Sequence, residues 1–439
     1  MSRAPSLLSE NRIVELQLWS AAAYLALLPS NAWTFARSLT FGLASGLALL
    51  ILAGGLSRRW ARVPSPGSAL AWTLFAWCAW SIASLSWSIN PDYSASELKR
   101  EIGWTLLAIA AFYVSAQSAR AWRILQVSAV TAFAFYAALA LGLALSPSGW
   151  DPSRWHSGVG PYATHLVLIA PLLLTLLAAP PIGYGARTAT AATGLALLLL
   201  LLTTARLTDN RMVWIALTAT FAAASGCAAW RWHSALTRTP LRWLAPLFAL
   251  LLVLGVVFVD VVHERAQTDF PPQTPVAQSL VEDPRVPLWE RAAQLVRERP
   301  LAGYGFGRGI VAEQLKGAAG NPPLWHAHNV FVAQALQTGL VGVMLFAALL
   351  ALVCARFVRY LRHGDDALAV IGIVGVSLLF GFLFKNLTDD FLFRSNAKEF
   401  WALLAMLVGF GTRLEQRAAA IVRDVRSPAG LTARLSEIK

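Results

Sequence analysis

Charge is scarce in this 439-residue chain: 13% of residues are Asp, Glu, Lys or Arg, against 57% hydrophobic. A soluble fold of that size needs far more polar surface to enclose its core, so a soluble globular protein is excluded. Cysteine is scarcer still. Cys78, Cys227 and Cys354 all fall inside apolar runs, so no disulfide is expected to staple an exposed loop. The N-terminus lacks the uninterrupted apolar core of a cleavable signal, because Glu10, Arg12 and Glu15 break it, and the first span is expected to stay as an anchor. No Gly-Lys-Ser/Thr accompanies the one glycine-rich stretch, which argues against a nucleotide-binding loop.

What the sequence has is long apolar runs of roughly 20 residues, each enough to cross a hydrocarbon layer of ~30 Å. Twelve spans are expected, at 13–30, 37–56, 67–87, 102–118, 122–146, 161–179, 188–205, 211–230, 243–262, 329–355, 367–385 and 397–412. The expected fold is therefore an all-α polytopic membrane protein of about 12 helices with one long outer loop. Its divisions are 1–262 (nine helices), 263–327 (the loop), 328–412 (three helices) and 413–439 (a basic tail). The formal charge of +13 reads as topology rather than nucleic-acid binding. Of the 36 Lys and Arg, 20 fall on inner segments if the termini are cytoplasmic, against 9 on short outer ones. Both termini are thus expected inside. The tail repeats Leu414, Ala418, Ile421, Val422 and Val425 at helical spacing among arginines, as a helix lying on anionic lipid would.

The loop 263–327 is far longer than an ordinary connection, which points to function. After a proline-rich start, Asp283-Pro284 reads as an N-cap and first turn of a helix ending before Pro300. Its apolar stripe is expected to be Trp289, Ala292, Ala293 and Val296, with Arg285 one turn before Trp289. Gly303-Tyr304-Gly305-Phe306-Gly307-Arg308-Gly309 follows; its backbone amides suit a phosphate, or the run is a flexible turn. His326-Ala327-His328-Asn329 closes the loop. Asn329 is an N-cap candidate, so His328 would sit at the positive end of a helix, a field that favours the neutral ring. A structural interfacial histidine is the plain alternative. A metal site is not expected from two histidines with no third ligand.

Arg206, Asp209 and Arg211 share one short outer turn, and Arg285 and Arg291 lie in the long loop. Arginine so close to hydrocarbon is costly unless paired or facing a polar cavity, and a cluster of forks suits a diphosphate. Snorkelling anchors would use the same residues. Asp389 and Asp390, with Lys385 and Arg394, lie at the same outer boundary, where one carboxylate could orient His328 or hold an arginine, or simply make an ordinary ion pair.

Three stretches resemble a known family. Asn210-Arg211-Met212-Val213-Trp214 is similar to its arginine at the start of a middle helix. Arg285 through Gly307 resembles its arginine, tryptophan, proline-leucine and glycine-rich pattern, and His328-Asn329 with Gln337 to Gly342 its histidine motif. The family is the bacterial O-antigen ligases, in a superfamily with O-antigen polymerases and protein O-oligosaccharyltransferases. His326 is an addition to that pattern.

The resemblance implies a GT-C-like glycosyltransferase in the bacterial inner membrane, with a periplasmic active site and no cofactor. Its donor would be undecaprenyl diphosphate-linked O-antigen and its acceptor a sugar hydroxyl of lipid A–core. Membrane lipids would surround it, and no nucleic acid is involved. No Asp-x-Asp pair occurs in the outer loops, so arginines rather than a metal would neutralise the diphosphate. His328 is expected as general base with Asp389 in support, and Arg206, Arg211, Arg285 and Arg291 as diphosphate ligands. His326, Asn329, Trp289 and Tyr304 are further substrate-contact candidates. A polymerase or a protein oligosaccharyltransferase would share the donor; a lipid-linked glycan flippase is the alternative of a different class.

Overall fold

The computed structural model describes residues 10–147, 149–177, 187–232, 285–317 and 324–426, with isolated helical positions at 255 and 259. All regular structure among them is helical. The first helices are α1 (Glu10–Leu27), α2 (Thr34–Leu56) and α3 (Ser68–Ala83). A 3₁₀ turn, the short α4 (Pro91–Glu97) and a π-helical turn at Leu98–Gly103 lead into α5 (Trp104–Ser115). Next come α6 (Ala119–Ala144), α7 (Val159–Leu177), α8 (Arg187–Leu207) and α9 (Arg211–Arg231). Beyond residue 284 lie α10 (Arg285–Glu298), α11 (Ala312–Lys316), α12 (Val330–Leu361), α13 (Asp366–Asn386) and α14 (Arg394–Arg426). Asn90, Ser118, Asn210, Asn329 and Asp365 each begin a helix by accepting an orphan backbone N–H.

Among the described residues, 8 helices are long and apolar enough to cross a membrane, where about twelve spans are expected. The chain is a multi-pass membrane protein, but three expected spans fall short. α1 carries Glu10, Arg12 and Glu15, and α5 has only 12 residues. In α14, Lys398 and Glu399 precede the apolar stretch, and Arg413, Glu415 and Arg417 follow it. The expected span at 243–262 lies outside the described residues but for two positions, and Asp283-Pro284 lies outside them altogether. α14 runs unbroken to Arg426, so the helical spacing after Gly411 continues the last helix.

α13 lies at the centre, packed against α7, α9, α12 and α14, while α14 packs on α5. Glycines allow the close approach: a Cβ on Gly375 would overlap the Phe357 ring. Arg231 at the end of α9 bonds Asp366 at the start of α13 (3.0 Å), so the two helices are antiparallel. The far end of α13 therefore shares its end of the bundle with the start of α9. A second, smaller core lies outside the bundle core, made by Leu288, Ala292, Leu295, Tyr304, Ile310, Val311, Leu315, Ala327, Ala333 and Leu336. The loop helices thus have a packed base of their own.

Candidate functional site

The glycine-rich run is a docking clip, and its amides are already occupied. Tyr304 N donates to Leu336 O (2.8 Å), Gly305 N to Gln337 O (2.9 Å) and Phe306 N to Ser84 Oγ (3.1 Å). Gly307 N donates to Gln337 Oε1 (2.9 Å) and Gly309 N to Tyr93 Oη (2.9 Å). α12 breaks at Gly339 (φ 69°, ψ −174°) to receive this run, and Leu340 N donates to Pro300 O (2.7 Å). A side chain at Gly339 would overlap the Leu301 carbonyl. Of the two sequence readings, phosphate cradle or turn, a turn is observed, and it is a fixed one.

That clip aims Arg308. Its Nε donates to Asp390 Oδ1 (2.8 Å), and its guanidinium lies over the rings of Trp325 (5.3 Å), Phe391 (5.5 Å) and Phe393 (4.9 Å). His326 Nδ1 lies 2.8 Å from the same Asp390 oxygen, and Arg308 Nη2 is 3.1 Å from His326 Nε2. Arg308 Nη2 is also 3.2 Å from Nδ1, so the guanidinium lies against the ring between its two nitrogens. A carboxylate facing Nδ1 favours the proton on that nitrogen, and the whole polar edge of His326 is enclosed by Asp390 and Arg308. Burial, with Arg308 and His328 nearby, pushes this imidazole below its ordinary range despite Asp390. Burial raises the Asp390 carboxyl, but His326 and Arg308 outweigh it and hold the group below the usual carboxylate range.

One residue on, a parallel set is arranged differently. His328, at φ 49°, stacks its ring on His326 with centroids 3.7 Å apart. Its Nδ1 faces Asp389 Oδ1 at 3.6 Å and has no hydrogen-bond partner among the described residues. Asp389 is bound through its other oxygen by Lys385, which is fully buried. Burial raises the Asp389 carboxyl, but Lys385, His328 and the charge of Arg285 bring it well below the usual range. Asn329 ties the two strands of this site together: Oδ1 accepts from Phe331 N (2.9 Å) and Val332 N (3.1 Å), while Nδ2 donates to Leu387 O (2.7 Å).

The structure thus brings His326, His328, Asn329, Asp389 and Arg285 together. α9 and α13 run antiparallel, which puts Arg211, the first residue of α9, and Arg206, in the last turn of α8, at this end of the bundle. Arg291 is turned to the loop, donating to Gln294 Oε1 (3.1 Å) and towards Gln314 O (3.5 Å). Trp289 Nε1 donates to Ala327 O (2.8 Å), so this indole supports the histidine loop. Tyr304 is buried, its hydroxyl bonded to Leu295 O (3.0 Å) and Glu298 (2.9 Å). The buried stripe of α10 is Leu288, Ala292 and Leu295, one residue round from the expected one. Trp289, Ala293 and Val296 instead line an apolar cavity of about 420 Å³ with Phe331, Val332, Ala335, Leu340 and Val343.

Lys385 and Asp390 were placed at this boundary from sequence, though not with the partners they take here, whereas Arg308, Glu97 and Glu101 were not singled out as site residues. Arg394 bonds Glu97 (2.9 Å) and lies 3.3 Å from Glu101, and its guanidinium covers Phe393, the ring shared with Arg308. Burial pushes Glu101 up to about 7 despite Arg394. The available signal was two carboxylates four apart in an outer turn of a charge-poor chain, and one arginine inside a glycine run.

Residues 195–347 match the family described as O-Antigen ligase. That stretch includes Arg206, Arg211, Arg285, Arg291, Arg308, His326 and His328, and stops before Lys385, Asp389 and Asp390. No curated protein matches the chain. Over residues 195–347 the chain is similar to the O-antigen ligase family, and that stretch lies within the multi-span helical bundle.

Proposed function

We propose that the protein is an O-antigen ligase of the bacterial inner membrane, moving a glycan from undecaprenyl diphosphate to a hydroxyl of lipid A–core on the periplasmic side. The observation that carries the reading is the open geometry of His328, whose Nδ1 faces Asp389 at 3.6 Å beside the charge of Arg285. With Nδ1–H directed to Asp389, Nε2 is left to take a proton. The acceptor oxygen attacks the anomeric carbon, its proton passes to His328 Nε2, and the bond to the diphosphate oxygen breaks with inversion. The electron pair leaves on undecaprenyl diphosphate. Arg206, Arg211 and Arg285 are the diphosphate ligands of this scheme, which Arg291 joins only by leaving Gln294 and Gln314, and charge developing there is where fixed cations act most strongly. Asp389, 3.6 Å from Nδ1 and kept ionised by its depressed pKa, stabilises the charge the ring gains when it takes the proton. No metal or cofactor enters the scheme.

The test is complementation of a ligase-deficient Gram-negative strain with matched donor and core, read as the lipopolysaccharide ladder. A ladder with wild type and none with an equally expressed His328→Gln is the expected result. No ladder from well-expressed wild type in its own background overturns the ligase reading. Longer carrier-linked chains or a glycoprotein product would then identify a polymerase or a protein oligosaccharyltransferase.

A further inference from the structure

His326 is the chemically tempting rival to His328, being one residue away and paired to its own aspartate. Its nitrogens argue otherwise. Nδ1 is held by Asp390 at 2.8 Å, and Arg308 Nη2 lies against the ring, 3.1 Å from Nε2 and 3.2 Å from Nδ1, so a proton arriving on this ring would meet the guanidinium charge. Yet the ring is not idle packing. It is the flat surface on which His328 rests, with centroids 3.7 Å apart and planes inclined by 28°. His328 is largely buried, its side chain 16% exposed, with no hydrogen-bond partner for Nδ1 among the described residues. It sits at φ 49°, a sparsely populated conformation for a non-glycine residue, and the Asp389 contact at 3.6 Å is too long to fix it.

We propose that His326, clamped by Asp390 and Arg308, is a positioning residue that holds the His328 imidazole in register with Asp389. This rests on the reading of His328 as the base. Arg308 belongs to the same device: three aromatic rings and the glycine clip leave its guanidinium one place to go. The loop core, the clip and the stacked ring thereby form a continuous support from α10 to the reacting nitrogen.

The experiment is a double-variant cycle on transfer from purified lipid-linked glycan. His326→Ala is expected to lower kcat by about 10²-fold while KM for the donor stays put, since misplacing a catalytic group acts on the chemical step. In a His328→Ala background, His326→Ala is expected to cost nothing further. His326→Phe, which keeps a flat ring but no hydrogen bonds, is expected to recover part of the loss. Wild-type kcat in His326→Ala, or the same fold loss in both backgrounds, overturns the proposal. A readout independent of turnover separates it from the ligase reading. Carbethoxylation of His328 by diethyl pyrocarbonate, mapped by peptide mass, is expected to quicken several-fold in His326→Ala as the ring is released. If wild type transfers nothing, the ligase reading fails, and this rate alone decides the positioning role: an unchanged rate in a folded variant overturns it.

Discussion

Two cation–carboxylate–imidazole sets lie side by side, Arg308–Asp390–His326 and Lys385–Asp389–His328, built from similar chemistry and finished differently. In the first, a planar guanidinium bonds both the carboxylate and the ring, and the ring side chain is 9% exposed. In the second, an ammonium bonds the carboxylate but not the imidazole, the imidazole is 16% exposed, and its Nδ1 stands 3.6 Å from its partner. The fork of arginine allows it to close a three-way network, whereas the point charge of lysine neutralises Asp389 without touching the ring. A closed network rigidifies; an open one keeps a nitrogen for chemistry. The contrast is the physical basis for assigning support to one histidine and reaction to the other.

The largest effect should come from the open set. His328→Ala is expected to lower transfer by about 10²–10⁴-fold, the contribution of a placed general base, with the apparent melting temperature in detergent nearly unchanged. Comparable turnover in the two proteins would end the distinction between the sets.

Breaking the closed set should show in stability instead. Arg308→Met leaves the Asp390 carboxylate buried beside one neutral ring. Loss of one partner of a buried pair costs about 3–5 kcal/mol, so a clear fall in apparent melting temperature is expected. Arg308→Met/Asp390→Leu should recover part of that loss because no stranded charge remains. A double variant less stable than Arg308→Met would show that packing around Phe391 and Phe393, rather than charge, holds the segment.

How far this could be read from sequence follows from the range of each interaction. Spans with long apolar runs were legible, as were the caps at Asn329 and Asn210, because period and capping are local. α5 was overcalled as a span because the π turn at Leu98–Gly103 takes up its first residues and leaves 12 in the helix. His328 and Asp389 were legible as a pair from their shared boundary. That one carboxylate of the pair would hold an arginine was also legible, but not that the arginine is Arg308, because 82 positions separate it from Asp390 and only the docking of the glycine run onto Gly339 brings them together. The same docking consumed the amides that made the run resemble a phosphate loop.

Gly339 therefore offers a smaller perturbation of the same contrast. Its φ of 69° and the Leu301 carbonyl against its Cα leave no place for a methyl group. Gly339→Ala should destabilise by more than about 1 kcal/mol, exceeding the gain that the same change brings where the backbone conformation fits alanine. Because the clip aims Arg308, His326 should lose its hold and transfer should fall with stability. A variant with full activity and a lower melting temperature would mean that the clip anchors the loop without aiming the site.

The smallest expected effect is a pH dependence that should be absent near neutrality. In the folded protein Asp390 titrates below the ordinary carboxylate value of about 3.9, and so does Asp389. A depressed acid contributes stability fully above its unfolded pKa and loses it as pH falls through the folded one. The gap in apparent melting temperature between wild type and Asp390→Asn should thus be equal at pH 8 and pH 5, and narrow only below about pH 4. Asp389→Asn should behave alike, although its histidine is open, because Lys385, His328 and Arg285 together hold that carboxyl well below the usual range. A gap already shrinking between pH 8 and pH 6 would place a proton on the Asp390 carboxyl near neutrality. Nδ1–H of His326 would then face a neutral acid, and the closed set would not be the ionised clamp that distinguishes it from its neighbour.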